Sequence, residues 1–221
     1  MSVISALRCS YDALRLMAGL TKLINPFCRR FDPARNAIAR TQAALPPGRL
    51  NGQGLAPLSA LPYGAWNMGN NGCEVIAVYN ALLALRRPVP LPEIAAALEK
   101  RGLLFNGFGG TNLSAVAAYL RQRGIDVAVL RRRERGRYDA ALAGSDCAIL
   151  SYWTGRRLRG ADRRWNSLHT VSVQRVGGGV EICNFANDWP APYRARSVED
   201  YLRRVDGDPV CLFALKTVDK T

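Results

Sequence analysis

The sequence is short of the residues that hold metals and of the runs that cross membranes. It contains a single histidine, so a centre built on two imidazoles has no ligands to draw on. Its six cysteines, Cys9, Cys28, Cys73, Cys147, Cys183 and Cys211, form no Cys-x-x-Cys pair. They also lack the dense spacing of a disulfide-stapled secreted domain. They read as reduced thiols, and neither a metal nor another cofactor is expected. No stretch of about eighteen apolar residues could span a bilayer, and no basic segment precedes an apolar run at the N-terminus as in a secretory signal. A cytoplasmic protein without a transmembrane segment is the expectation.

Acidic residues are also scarce, 17 against 31 Lys plus Arg, for a formal charge of +14. Lysine occurs only at Lys22, Lys100, Lys216 and Lys220, so arginine carries the excess. Such a balance attracts anions, and a peptide or protein substrate of acidic character fits it. The densest clusters, residues 131–137 and 156–164, carry no recognised nucleic-acid motif, which leaves nucleic acid with less support as a partner. With 221 residues and 48% hydrophobic composition, the chain can bury one core.

What is present is organised around residues 66–74, Trp66-Asn67-Met68-Gly69-Asn70-Asn71-Gly72-Cys73-Glu74, a Gly- and Asn-rich loop running into the apolar stretch Val75 to Leu85. This layout puts the Cys73 thiol at a helix N-terminus, where unpaired N–H groups and the helix dipole favour an anion. Cys73 is the candidate nucleophile, with a thiol pKa expected below the roughly 8.5 of a free cysteine.

The lone His169 lies in Ser167-Leu168-His169-Thr170-Val171-Ser172-Val173, whose alternation reads as a half-buried strand. Gly177-Gly178-Gly179 turns the chain, and Val180 to Asn184 returns antiparallel. Pairing outward from Gly178 brings Asn184 toward the row of His169 and Thr170; Asp188, beyond the paired stretch, is the alternative third residue. Cys, His and Asn in this chain order can carry acyl transfer from an amide. Asn184 would orient His169, and His169 would take the proton from Cys73 and return it to the leaving amine.

With these residues in place, the chain resembles the papain-like cysteine peptidases, and among them the bacterial double-glycine leader peptidases and their stand-alone relatives. In those families an amide residue six positions before the nucleophile holds the oxyanion; the resemblance gives that role to Asn67, where Gln is commoner. Phe108-Gly109-Gly110-Thr111-Asn112-Leu113 is similar to the Gly-Thr loop that follows the nucleophile's helices in those proteins. The resemblance covers about Tyr63 to Val218. It implies a cysteine endopeptidase, possessing a narrow cleft that prefers small residues and acting on a peptide or leader sequence. The alternatives are a papain-fold acyltransferase or amidase with the same triad, and a non-catalytic module binding a peptide or a polyanion. An aromatic residue, Phe185 or Trp189, is expected over the Asn–His bond, and Trp153, Trp165 and Trp189 are candidate walls of the substrate cleft.

The expected fold is α+β, a papain-like arrangement with a helical first half and an antiparallel sheet in the second. Residues 1–45 read as a helical N-terminal extension, with an amphipathic helix over 3–24 and another from Pro33 to about Leu45. The Pro- and Gly-rich stretch 46–62 reads as a connector that could occupy the cleft through Gly52-Gln53-Gly54. The catalytic domain is then 63–221. Its helices are expected from Cys73, from Leu91 to Lys100 and from Thr111 or Asn112 to Gly124. Strands are expected at 125–130, 147–153, 168–176, 180–185 and 209–218, with a short helix at 197–205.

Overall fold

Helix α3 (Cys73–Ala84) is apolar on nearly every side, with Val75, Ile76, Ala77, Val78 and Ala81 all at 0% exposure. A helix of that kind must be enclosed, and the other elements enclose it. A computed structural model of the chain describes residues 31–107, 109–154 and 167–217. Its architecture is mixed α+β, with seven helices among the described residues and an antiparallel sheet.

Helix α1 (Pro33–Thr41) starts at Asp32, whose carboxylate accepts from the Ala34 and Arg35 N–H groups. A two-stranded hairpin, β1 (Pro62–Tyr63) with β2 (Trp66–Asn67), leads into the single turn α2 (Met68–Asn71) and then α3. Helix α4 (Leu91–Arg101) has Pro92 in its first turn and stops at Gly102. Helix α5 (Leu113–Gln122) is capped by the Asn112 side chain, which accepts from Ser114 N–H.

Strand β3 (Ile125–Arg131) follows, then α6 (Tyr138–Ala143), β4 (Cys147–Trp153), β5 (Leu168–Val176), β6 (Gly179–Cys183), β7 (Tyr193–Ala195), α7 (Val198–Arg204) and β8 (Asp208–Thr217). The main sheet has the order β3-β8-β4-β5-β6-β7, every pair antiparallel. Strand alternation divides its residues between two cores. Val127, Ile149, Phe213 and Leu215 face α3 to α5. Leu130, Leu150, Val171, Val173 and Leu212 face α6 and α7.

Residues 46–62, read as an extended connector, are built into the first core. Leu50, Leu58 and Leu61 are buried in it, and Asn80 on α3 exchanges two hydrogen bonds of 2.8 Å with the Leu50 main chain. Helix α1 is anchored just as firmly. Arg40, 1% exposed, forms two 2.8 Å hydrogen bonds with the Glu99 carboxylate on α4, which also accepts from Asn36 and the Gly64 N–H. The helix expected from Pro33 to about Leu45 ends at Thr41, and the helix expected over 3–24 lies outside the described residues. Helix α6, strand β7 and the β1–β2 hairpin have no counterpart in the sequence reading. Among the described residues no helix is long and apolar enough to cross a membrane.

Candidate active site

Cys73 opens α3 as expected, with Gly72 ahead of it. A Cβ on Gly72 would sit 2.5 Å from the Met68 sulfur and 2.7 Å from the Met68 carbonyl, so only glycine lets α2 turn this tightly into α3. The thiol is 3.3 Å from Oε2 of Glu74, to which it donates, and it accepts from the main-chain N–H groups of Thr170 and Glu74. The expected low pKa is not what these surroundings produce. Burial pushes the Cys73 thiol up, and the Glu74 carboxylate, as a negative charge and as an acceptor of the thiol proton, pushes it further; the two N–H groups only partly offset this. The helix terminus is outweighed by desolvation together with one adjacent acid.

Glu74 is itself 2% exposed. Thr170 Oγ1 donates to its Oε1 at 3.4 Å, and Ser151 Oγ lies 2.9 Å from Thr170 Oγ1, so a polar chain runs from the sheet to the start of α3. Gly110 passes the same carboxylate, and the adjacent Thr111 is 1% exposed with its hydroxyl 2.7 Å from that of Tyr63.

His169 lies one residue before Thr170 on β5 and is likewise buried. Its ring is edge-on to Tyr152, its direct partner on β4, with centroids 5.9 Å apart and planes at 88°. The Tyr152 hydroxyl in turn meets that of Tyr201 on α7 at 2.6 Å. The hydrogen bonds at Cys73 and Glu74 come from Thr170, and among the described residues none joins the imidazole to the Cys73 sulfur. His169 Nε2 is 2.6 Å from the main-chain oxygen of Asn184. A carbonyl can only accept, so Nε2 carries the proton and Nδ1 is the basic nitrogen. Burial lowers the His169 pKa below its usual value, and the Asn184 carbonyl opposes that shift.

Asn184 thus meets His169 through its backbone, and its side chain is engaged elsewhere. Its Oδ1 accepts from Gln53 N–H at 3.1 Å, its Nδ2 donates to Gln53 Oε1 at 2.8 Å, and its N–H donates to Asn51 Oδ1 at 2.8 Å. The register explains this. Val176 pairs with Gly179 and Ser172 with Cys183, so regular pairing ends before Asn184, which takes a left-handed φ of 62°. One step further would place it opposite Val171, not beside His169 or Thr170. Asp188 is exposed and away from the imidazole's hydrogen bond.

Gln53, 2% exposed, also donates to Gly69 O at 3.1 Å. It therefore links the loop before Cys73 to the residue that holds His169. Gly54 N–H donates to Asn187 O at 2.8 Å, and a Cβ on Gly52, whose φ is +65°, would be 3.0 Å from Trp189 O. Residues 51–54 consequently line the 184–189 segment.

Asn67 uses its Oδ1 to cap α2, accepting from Asn70 N–H at 3.0 Å. Asn71, two residues before Cys73, has a buried Nδ2 with no hydrogen-bond partner among the described residues. Trp189 is 54% exposed; Phe185 packs on Tyr193 with centroids 5.0 Å apart, so Tyr152 is the aromatic neighbour of the imidazole. Trp153 ends β4 half-buried opposite Leu168 and Asp208, and Trp165 lies outside the described residues. The sequence reading gave Glu74 no role, took Gln53 only as part of a stretch that could occupy the cleft, and passed over Tyr152. An acid directly after the nucleophile and a polar residue between two glycines were the available signals for the first two. No protein-family model matches the chain, and no curated protein matches it.

Proposed function

We propose that the chain is a cysteine-dependent hydrolase of papain-like layout, cleaving an amide bond of a peptide, with Cys73 as nucleophile and His169 as base. The observation that carries this reading is the meeting of α3 with β5. Thr170 offers its N–H to the Cys73 sulfur, and the adjacent His169 is the chain's sole imidazole, with its Nε2 proton directed to a carbonyl and its Nδ1 left as the proton acceptor. The mixed α+β architecture supports the papain-like reading.

Asn184 serves through its main-chain oxygen and fixes the tautomer, as a side-chain amide would. Asn67, whose NH₂ is not used by the cap, and the Cys73 N–H are the oxyanion donors on this reading. The arrangement is a resting one: the thiol keeps its proton against Glu74, and His169 faces Tyr152. Turnover requires the thiol to leave Glu74 and give its proton to Nδ1. The same chemistry would serve an amidase or an acyltransferase, since the attacking water or amine enters after the acyl-enzyme has formed.

A second reading, a non-catalytic peptide-binding module, is favoured by the Cys73 thiol, which keeps its proton against Glu74 and has no hydrogen bond to His169. A peptide ending in a vinyl sulfone separates the two readings. The hydrolase forms a covalent adduct at Cys73, visible by intact mass and lost in Cys73→Ala. Peptide binding without any adduct would assign the chain to the second reading.

A further inference from the structure

The edge strand β3 carries a site that shares no residue with the cysteine site. Leu215 O accepts from Asp146 N–H and Thr217 N–H donates to the Asp146 side chain, so the odd residues of β8 direct their main-chain groups toward β4. Leu212, Ala214 and Lys216 then bond β3 through Leu130, Ala128 and Asp126. Val127, Val129 and Arg131 must turn theirs outward, away from the sheet. Two of these outward groups have partners: Val127 O accepts from Arg121 at 2.9 Å, and Arg131 N–H donates to Glu134 at 3.0 Å. The N–H and C=O of Val129, between them, have no partner within the described residues.

A groove of about 670 Å³ opens beside this edge. Val129, 41% exposed, forms its floor with Cys211 and Phe213 of β8, and Arg121, Arg131 and Arg133 line it. Because Val129 and Arg131 are two apart on one strand, they present their side chains on the same face. Arg121 approaches that face from α5 at the level of Val127.

We propose that this groove docks an extended acidic peptide as an added strand, with an apolar residue opposite Val129 and a carboxylate two positions to either side. The Val129 N–H and C=O supply a pair of main-chain hydrogen bonds, and Val129 with Phe213 receives the apolar side chain. The flanking carboxylates meet Arg131 and Arg133 at one end and Arg121 at the other. Carboxylates one position from the apolar residue would point to the opposite face, where these arginines do not reach. An apolar floor with one open main-chain pair suits a peptide better than a nucleic-acid strand, which would require exposed stacking rings.

The test uses two fluorescein-labelled peptides of equal composition and charge, one containing Glu-Ser-Val-Ser-Glu and the other Ser-Glu-Val-Glu-Ser. Polarisation should show the first binding at least about tenfold more tightly, since both of its carboxylates meet arginines and neither of the second peptide's does. The Val129 amide resonance should shift on binding. Arg131→Ser with Arg133→Ser, both at exposed positions, should reduce the preference to the part supplied by Arg121, with the circular dichroism spectrum unchanged. Equal binding of the two peptides, an unshifted Val129 amide, or tighter binding of a labelled oligothymidylate than of either peptide would overturn the proposal.

Discussion

Replacing Asn184 with Ala tests how the site is held together. The substitution keeps the main-chain oxygen that accepts from His169 and removes the side-chain amide that pairs with Gln53. It leaves the buried Gln53 N–H and Oε1 without partners, at about 1–3 kcal/mol each. It also puts an alanine at φ 62°, which costs about 1 kcal/mol more. The expected loss is about 3–7 kcal/mol, a large share of the roughly 5–15 kcal/mol by which a domain is stable. Asn184→Gly loses the same two bonds and relieves the backbone. It should therefore be about 1 kcal/mol more stable than Asn184→Ala, the reverse of the usual order at an ordinary position. Urea unfolding followed by tryptophan fluorescence measures both, and a cycle with Gln53→Ala should return a coupling of about 1 kcal/mol or more. The imidazole Nε2–H resonance should persist in every variant that folds. A cost below about 1 kcal/mol for the alanine variant, or a glycine variant less stable than the alanine one, would refute the claim that the side chain anchors Gln53 and the backbone anchors His169.

Other outcomes follow from the same structure. Native Cys73 should alkylate slowly with iodoacetamide at neutral pH, because burial and Glu74 keep its proton on; Glu74→Gln should speed the reaction, and equal rates would remove Glu74 as a cause. Burial sets the folded His169 pKa below the usual 6.5, so the unfolded chain takes up the proton first. The stability this gives is complete above about pH 6.5 and is lost as pH falls through the folded value, and His169→Gln should flatten that part of a urea-midpoint profile. Burial pushes Cys147 up to about 12 from the usual 9.0, so between those values the unfolded chain has released a proton that the folded one retains. Stability should fall with rising pH in that window, less so in Cys147→Ala. Arg40→Met leaves the buried Glu99 carboxylate without its counter-charge and should cost about 3–5 kcal/mol in urea unfolding, part of which Glu99→Gln in the same chain should restore.

The regular elements were legible because their signals are local. Strands β4 and β5 begin and end at the residues expected, since β-branched and aromatic runs bounded by breakers specify them without reference to the rest of the chain. Helix α7 is one residue shorter at each end than expected, with Ser197 acting as its cap by accepting from Asp200 N–H. Elements of three to six residues, β7 and α6 among them, carry too few positions to show a period and are stabilised by the sheet and by each other. Residues 46–62 read as a linker because proline and glycine obscure periodicity, yet burial of Leu50, Leu58 and Leu61 depends only on what lies opposite them.

The site divides in the same way. By itself, the sequence determined that a cysteine begins an apolar helix and that the only imidazole sits near the start of a strand, because breakers and alternation are properties of neighbours in the chain. Tertiary structure alone decided which partners β5 meets, since register and the left-handed turn at Asn184 bring Thr170 to the start of α3 and give His169 the Asn184 carbonyl and the Tyr152 ring. It also decided the charge state of the thiol. A helix dipole acts over one turn of one element, whereas the burial that outweighs it comes from strands, loops and a carboxylate that meet at Cys73 only once the chain has folded.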